Sequence, residues 1–101
     1  MQLLENKNIM DKKKLNETFA LAFQNHQKNN FKIAEELYKN VLKINSNHFQ
    51  SIFLLGSLFA QTNNFYRAKE LLDKAIIIQP NYADAHNNLG AVLKELGKPK
   101  E

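Results

Sequence analysis

Apolar side chains recur along this chain with the spacing of helices that bury one face. Between residues 31 and 44 they fall three or four positions apart, and the same spacing returns between residues 65 and 78. Such a period places the apolar residues on one side of an α-helix. The other apolar segments resemble one another and lie between or beside these two. We therefore predict five helices, at about 12–28, 31–44, 48–61, 65–78 and 82–96.

Asparagines separate the predicted helices at equivalent points. Asn29 and Asn63 each follow a helix, and Gly97 takes the same position after the last one. Gly and Asn tolerate the left-handed backbone that often ends a helix, so we expect all three to adopt it. Asn30 and Asn64 come next. They are typical N-cap residues, whose side chains would accept a bond from a free backbone amide.

The whole pattern repeats every 34 residues. Residues 29–48 and 63–82 are identical at eight of twenty positions: Asn29/Asn63, Asn30/Asn64, Phe31/Phe65, Ala34/Ala68, Glu36/Glu70, Leu37/Leu71, Ile44/Ile78 and Asn47/Asn81. A period of this length is typical of stacked supersecondary units. Short connections make sequential helices antiparallel neighbours. The predicted fold is therefore an all-α array of antiparallel helix pairs.

Small and large residues follow one another in the second repeat as they do in the tetratricopeptide repeat (TPR) family, whose unit is a helix pair. The matching residues are Ile52, Leu55, Gly56, Phe59, Ala68, Leu72, Ala75 and Pro80. The resemblance covers residues 15–101 and implies a TPR-like α-solenoid of five main helices. It divides the chain into an N-terminal extension at 1–14, repeats at 15–48 and 49–82, and the first half of a third repeat at 83–101. We expect the third repeat to continue in a longer protein.

In this family the first helices of successive repeats line a concave groove. Carrying those positions onto this chain gives the candidate ligand-binding residues Phe19, Phe23, Phe53, Leu54, Ser57, Asn87 and Asn88. The resemblance thus implies a groove that is aromatic in its N-terminal half and rich in amides in its C-terminal half. The phenylalanines would anchor an apolar residue of a bound segment, and the asparagines would bond its backbone.

An apolar patch of this kind can also be covered by the protein itself. Residues 1–11, which include Leu3, Leu4, Ile9 and Met10, could fold back over the phenylalanines, and a second copy of the chain could also cover them. The last predicted helix lacks a partner helix, so its apolar residues are candidates for self-association. They are Tyr82, Leu89, Val92, Leu93 and Leu96.

Composition restricts the chemistry. The chain has a net charge of +4 and no cysteine, which excludes disulfides and thiolate metal sites. The three histidines lie on different predicted helices or turns, and no nucleophile set or phosphate-binding loop is present. We therefore expect no enzyme activity, no metal and no cofactor. No apolar run is long enough to span a membrane and no secretory signal is evident, so the expected location is cytoplasmic.

A protein-interaction scaffold that binds a peptide segment or a partner helix is the function that these features favour. The first alternative is the substrate-binding arm of a larger enzyme, such as an O-linked N-acetylglucosamine transferase-like glycosyltransferase or a sulfotransferase. Asn88 resembles one position of the asparagine ladder in such arms. The second alternative is an RNA-binding helical repeat. A groove that carries Asp84 and little positive charge is poorly suited to phosphates, so nucleic acid is not the expected partner.

Overall fold

The computed structural model describes residues 2–99, without the side chains of residues 2–5. Within this range the chain forms five α-helices and no strand. They are α1 (Gln2–Gln27), α2 (Phe31–Ile44), α3 (Phe49–Gln61), α4 (Phe65–Ile78) and α5 (Ala83–Leu96). The predicted all-α fold with five main helices is confirmed. The helices form two compact units, which divide between His48 and Phe49.

The first unit is an antiparallel pair of helices of unequal length. α1 and α2 contact each other extensively across a three-residue link. The buried side chains of this unit are Leu15, Ala22, Ala34, Tyr38 and Val41. Small alanines on both helices allow the backbones to approach, and the larger side chains fill the space around them.

α1 begins about three turns earlier than the sequence pattern predicts. The predicted start near residue 12 relied on an apolar stripe, whereas every side chain from residue 6 to residue 14 is exposed. Residues 6–14 contain no Gly or Pro and include four Lys, which favour helix without burial. Ile9 and Met10 are exposed on this continuous helix, so residues 6–11 do not fold back over the phenylalanines. The side chains of Leu3 and Leu4 lie outside the described residues.

The second unit consists of three helices. α4 packs against both α3 and α5, and α3 and α5 share a smaller contact. The close crossing of α3 and α4 is at Gly56. A Cβ atom added there would lie 3.2 Å from Leu71 Cβ and 3.2 Å from Leu72 Cγ. A side chain at this point would therefore have to displace Leu71 and Leu72 by a few tenths of an ångström.

Left-handed residues end two of the helices, as predicted. Asn29 and Asn63 have φ angles of 63° and 64°, and each precedes the N-cap residue of the next helix. The prediction is wrong for Gly97, which has φ −85° and ψ −4°. A left-handed residue reverses the chain into a following helix. No helix follows Gly97 within the described residues.

Asn30 and Asn64 lie at the N-cap positions of α2 and α4, but their side chains make no capping hydrogen bond. They close the preceding turn instead. Asn30 Nδ2 donates to Asn25 Oδ1 at 3.1 Å, and Asn64 Nδ2 donates to Thr62 Oγ1 at 3.0 Å. Their backbone amides also donate across the ends of α1 and α3, in the pattern that closes a helix after a left-handed residue.

The two helical glycines at equivalent repeat positions should respond oppositely to alanine. A Cβ atom on Gly90 would meet nothing within 4 Å, whereas one on Gly56 would press on α4. We expect Gly90→Ala to raise the free energy of unfolding by roughly 0.5–1 kcal/mol, because alanine favours helix. We expect the free energy of unfolding of Gly56→Ala to lie below that of the native chain by on the order of 1–3 kcal/mol, because the added methyl group overpacks the crossing. Urea denaturation measures both, and equal stabilities would contradict a close crossing at Gly56.

Candidate functional site

The seven predicted binding residues are distributed over both units. Phe19 and Phe23 lie on α1 of the first unit. The other five lie in the second unit, where Phe53, Leu54 and Ser57 belong to α3, and Asn87 and Asn88 belong to α5. Leu54 is half-buried and Asn87 is exposed.

Aromatic rings cluster on the surface of the first unit. Phe19 stacks on Phe23 with their centroids 6.4 Å apart and an interplanar angle of 11°. The Phe19 ring also lies 6.2 Å from the ring of Tyr38 and 5.1 Å from that of His48. Phe19 is therefore half-buried within its own unit, whereas Phe23 remains 40% exposed. Of the two predicted anchors, Phe23 offers the larger apolar surface to a partner.

A buried hydroxyl links this cluster to α2. Tyr38 is fully buried, and its hydroxyl lies 2.9 Å from His26 Nδ1. Burial raises the pKa of Tyr38 well above its ordinary value, so the phenol stays protonated and can donate to the imidazole. The edge of the His26 ring also faces Phe31 at 5.9 Å. These contacts give His26 a structural role between α1 and α2.

A second aromatic cluster lies in the unit of three helices. Phe53 stacks on Phe49 at 6.2 Å, and Tyr82 meets both rings edge-on at 5.1 Å and 4.9 Å. The sequence placed Tyr82 and Val92 among the open apolar residues of the last helix. Tyr82 instead packs on α3 from the N-cap position of α5, and Val92 is only 1% exposed. We define the open face of α5 by the three predicted residues that remain, Leu89, Leu93 and Leu96, together with the exposed Gly90.

A chain of polar contacts joins α5 to α3. Ser57 Oγ donates to the backbone oxygen of Phe53 at 2.9 Å, so this hydroxyl accepts from its other neighbour. That neighbour is Asn88, whose Nδ2 donates to Ser57 Oγ at 2.9 Å. The bond fixes the orientation of the Asn88 amide and directs its carbonyl oxygen Oδ1 away from Ser57.

Two adjoining cavities lie along this contact. The first has a volume of about 340 Å³ and is lined by Ser57, Ala60, Gln61, Asn88 and Ala91. The second has a volume of about 310 Å³ and is lined by Ala60, Asn63, Phe65, Ala91, Val92 and Glu95. They share Ala60 and Ala91, and we call them together the α3–α5 groove. Small side chains on both helices leave this space open.

The sequence indicated one end of this groove and missed the other. Ser57 and Asn88 were among the predicted binding residues, whereas Asn63, Phe65 and Glu95 were not. The prediction carried over only first-helix groove positions, and Asn63 and Phe65 belong to the link and to the second helix. The open space itself depends on Ala60 and Ala91, which do not occupy equivalent positions in the repeat.

Comparisons with known proteins agree with this architecture. Residues 56–97 match a family model described as TPR repeat. A mutant of the Thermobaculum terrenum O-GlcNAc transferase is similar in structure, with a TM-score of 0.78 and 28% identity over 82% of this chain. MamA has the same TM-score and coverage with 18% identity, and shows the fold alone. No curated protein matches at a significant level.

The comparisons therefore show the class of fold. The described residues form a helical-repeat fold, and residues 56–97 carry the sequence pattern of the tetratricopeptide repeat family. The chain spans 16% of the length of the transferase chain and 48% of that of MamA. None of the described helices has both the length and the apolar character needed to cross a bilayer.

The stability of the first unit should fall in mild acid because of His48. Burial lowers the pKa of this imidazole, so the folded chain resists the proton that the unfolded chain takes up below pH 6.5 or so. The free energy of unfolding therefore falls as the pH drops through that region. We expect His48→Gln to reduce the slope of the free energy of unfolding against pH, measured by urea denaturation between about pH 7.5 and 5.

His86→Gln is the matched control, because His86 is exposed in the second unit. Identical slopes for the native chain and His48→Gln would show that His48 is not the cause of the loss of stability in mild acid.

Proposed function

We propose that this chain is a non-catalytic protein-interaction scaffold that binds a peptide segment or partner helix. The observation that supports it is the Asn88–Ser57–Phe53 hydrogen-bond chain beside the α3–α5 groove. A fixed amide presents its carbonyl oxygen to a ligand without first having to be ordered. A backbone N–H is the donor that every extended peptide carries, so the groove fits such a segment.

Aromatic side chains support the same proposal. Phe23 is 40% exposed in the first unit, and Phe53 keeps part of its surface open in the second. Large aromatic residues that accept an apolar side chain often dominate the energy of an interface. The cytoplasmic location and the absence of catalysis stay predictions from the sequence.

A second candidate is the substrate-binding arm of a larger enzyme. Its support is the 28% identity to the O-GlcNAc transferase structure over 82% of this chain. A catalytic domain encoded in the same reading frame would favour this candidate, and its absence would favour the scaffold. RNA binding has less support, because the charged residue that lines the groove, among those that the structure describes, is the acidic Glu95.

We also propose that the open face of α5 mediates self-association. The internal repeat supports this proposal, because Gly90 occupies the position of Gly56 one repeat later. α4 covers Gly56 with leucine atoms at 3.2 Å, whereas nothing lies within 4 Å of a Cβ atom on Gly90. Beside it, Leu93 is 45% exposed. A second copy would bury this apolar strip.

Peptide selection tests the groove. Peptides selected on the native chain from a random library should lose roughly tenfold or more in affinity for Asn88→Leu, because this change removes the fixed acceptor. Isothermal titration calorimetry measures the affinities. Asn40→Leu is the matched control, since Asn40 is exposed on α2 in the other unit. Equal affinity for the native chain and Asn88→Leu would contradict groove binding.

Sedimentation equilibrium tests self-association. We expect the native chain to form dimers or larger species as its concentration rises, and Leu93→Asp to shift it to monomer by placing a charge on the apolar face. Ile77→Asp is the control, because Ile77 is 78% exposed on α4 and lies outside this face. A native chain that stays monomeric at high concentration would rule the proposal out.

A further inference from the structure

We infer that the α3–α5 groove selects a cationic segment, with a Lys or Arg side chain of the bound peptide seated in the cavity beside Glu95. This inference rests on the proposed function, and it names the class of partner that the groove accepts. It is carried by the chemistry of the cavity and by the distribution of charge around it.

The cavity beside Glu95 has the features that a long basic side chain requires. Ala60, Ala91 and Val92 supply apolar walls for its methylene groups, and the Phe65 ring lies within the same lining. Lys and Arg bury their stems along apolar surface while the charged end finds a carboxylate or an aromatic face. The volume of about 310 Å³ is large enough for such a side chain. Among the residues that the structure describes, Glu95 is the one charged residue that lines the cavity.

The surrounding charges leave the Glu95 carboxylate available. Lys98 Nζ bonds Glu95 Oε1 at 2.7 Å, with 56% of the Lys98 side chain and 39% of the Glu95 side chain exposed. Exposed pairs of this kind contribute little, so an incoming cation can replace Lys98 or bond the second carboxylate oxygen. Lys94 is exposed and does not line either cavity. α3, on the opposite side of the groove, carries no charged residue.

Hydrogen-bond acceptors follow one side of α5. Asn88 and Glu95 are seven residues apart, which places them on the same side of the helix about 10 Å from each other. Asp84 lies one turn before Asn88 on α5 and does not line either cavity. A peptide that donates a backbone N–H to Asn88 Oδ1 can therefore extend a basic side chain from a residue nearby toward Glu95.

Three labelled peptides of matched length test the inference by fluorescence anisotropy. Each has twelve residues of Gly and Ala, with Lys, Gln or Glu at every third position. We expect the Lys peptide to bind about tenfold more tightly than the Gln peptide, and the Glu peptide to bind most weakly. The affinity of the Lys peptide should fall as salt increases. Peptides selected from the random library should be enriched in Lys and Arg.

Glu95→Gln isolates the carboxylate. This variant should have about tenfold lower affinity for the Lys peptide and unchanged affinity for the Gln peptide. Glu70→Gln is the matched control, because it makes the same change in net charge on the exposed surface of α4. The inference would be overturned if Glu95→Gln and Glu70→Gln changed the affinity for the Lys peptide equally. It would also be overturned if the Gln or Glu peptide bound the native chain as tightly as the Lys peptide.

The outcomes separate this inference from the proposed function. The selected peptides could require Asn88 for binding, carry no excess of Lys or Arg, and bind Glu95→Gln as tightly as the native chain. That result would support the scaffold and contradict the cationic partner. If no selected or designed peptide binds, the proposed function fails and the inference fails with it.

Discussion

The close approach of antiparallel helices at small side chains is the constraint on which both units depend. In the second unit, a Cβ atom at Gly56 would lie 3.2 Å from atoms of Leu71 and Leu72, which is closer than an ordinary van der Waals contact. In the first, Ala22 and Ala34 are fully buried on facing helices. The smallest residues set the distance between the backbones, and the larger side chains fill the volume that this distance leaves. A change of one methyl group at such a point is therefore felt by the whole helix pair.

The links between helices obey the same constraint. A helix that must return along its predecessor after three residues needs a sharp reversal, which the left-handed Asn29 and Asn63 supply. The backbone amide of the asparagine that follows each of them donates to a carbonyl of the helix that has just ended. The side chains of Asn30 and Asn64 thus maintain the geometry of the turn. The surfaces left for a ligand are the helix faces that this packing does not use.

On those faces, the structure divides residues between packing and recognition. Phe19 and Phe53 each contact aromatic neighbours in their own units, which covers part of their surface. Asn88 is oriented because Ser57 has already given its proton to a backbone carbonyl. The groove therefore combines one fixed acceptor with one carboxylate at Glu95 and apolar walls. This combination underlies the proposal of a donor-rich, cationic peptide as the ligand.

The sequence by itself determined the five helices, the two left-handed asparagines and the small residues at the helix crossing. These features are local, because apolar spacing and tolerance of positive φ are properties of short segments. The start of α1 was not predictable from an apolar stripe, because the side chains of residues 6–14 are all exposed. Only the tertiary structure decided that Tyr82 packs on α3 and that Asn63, Phe65 and Glu95 line one cavity. Those positions depend on how three helices cross and on which rotamers the crossings allow, and no local pattern encodes them.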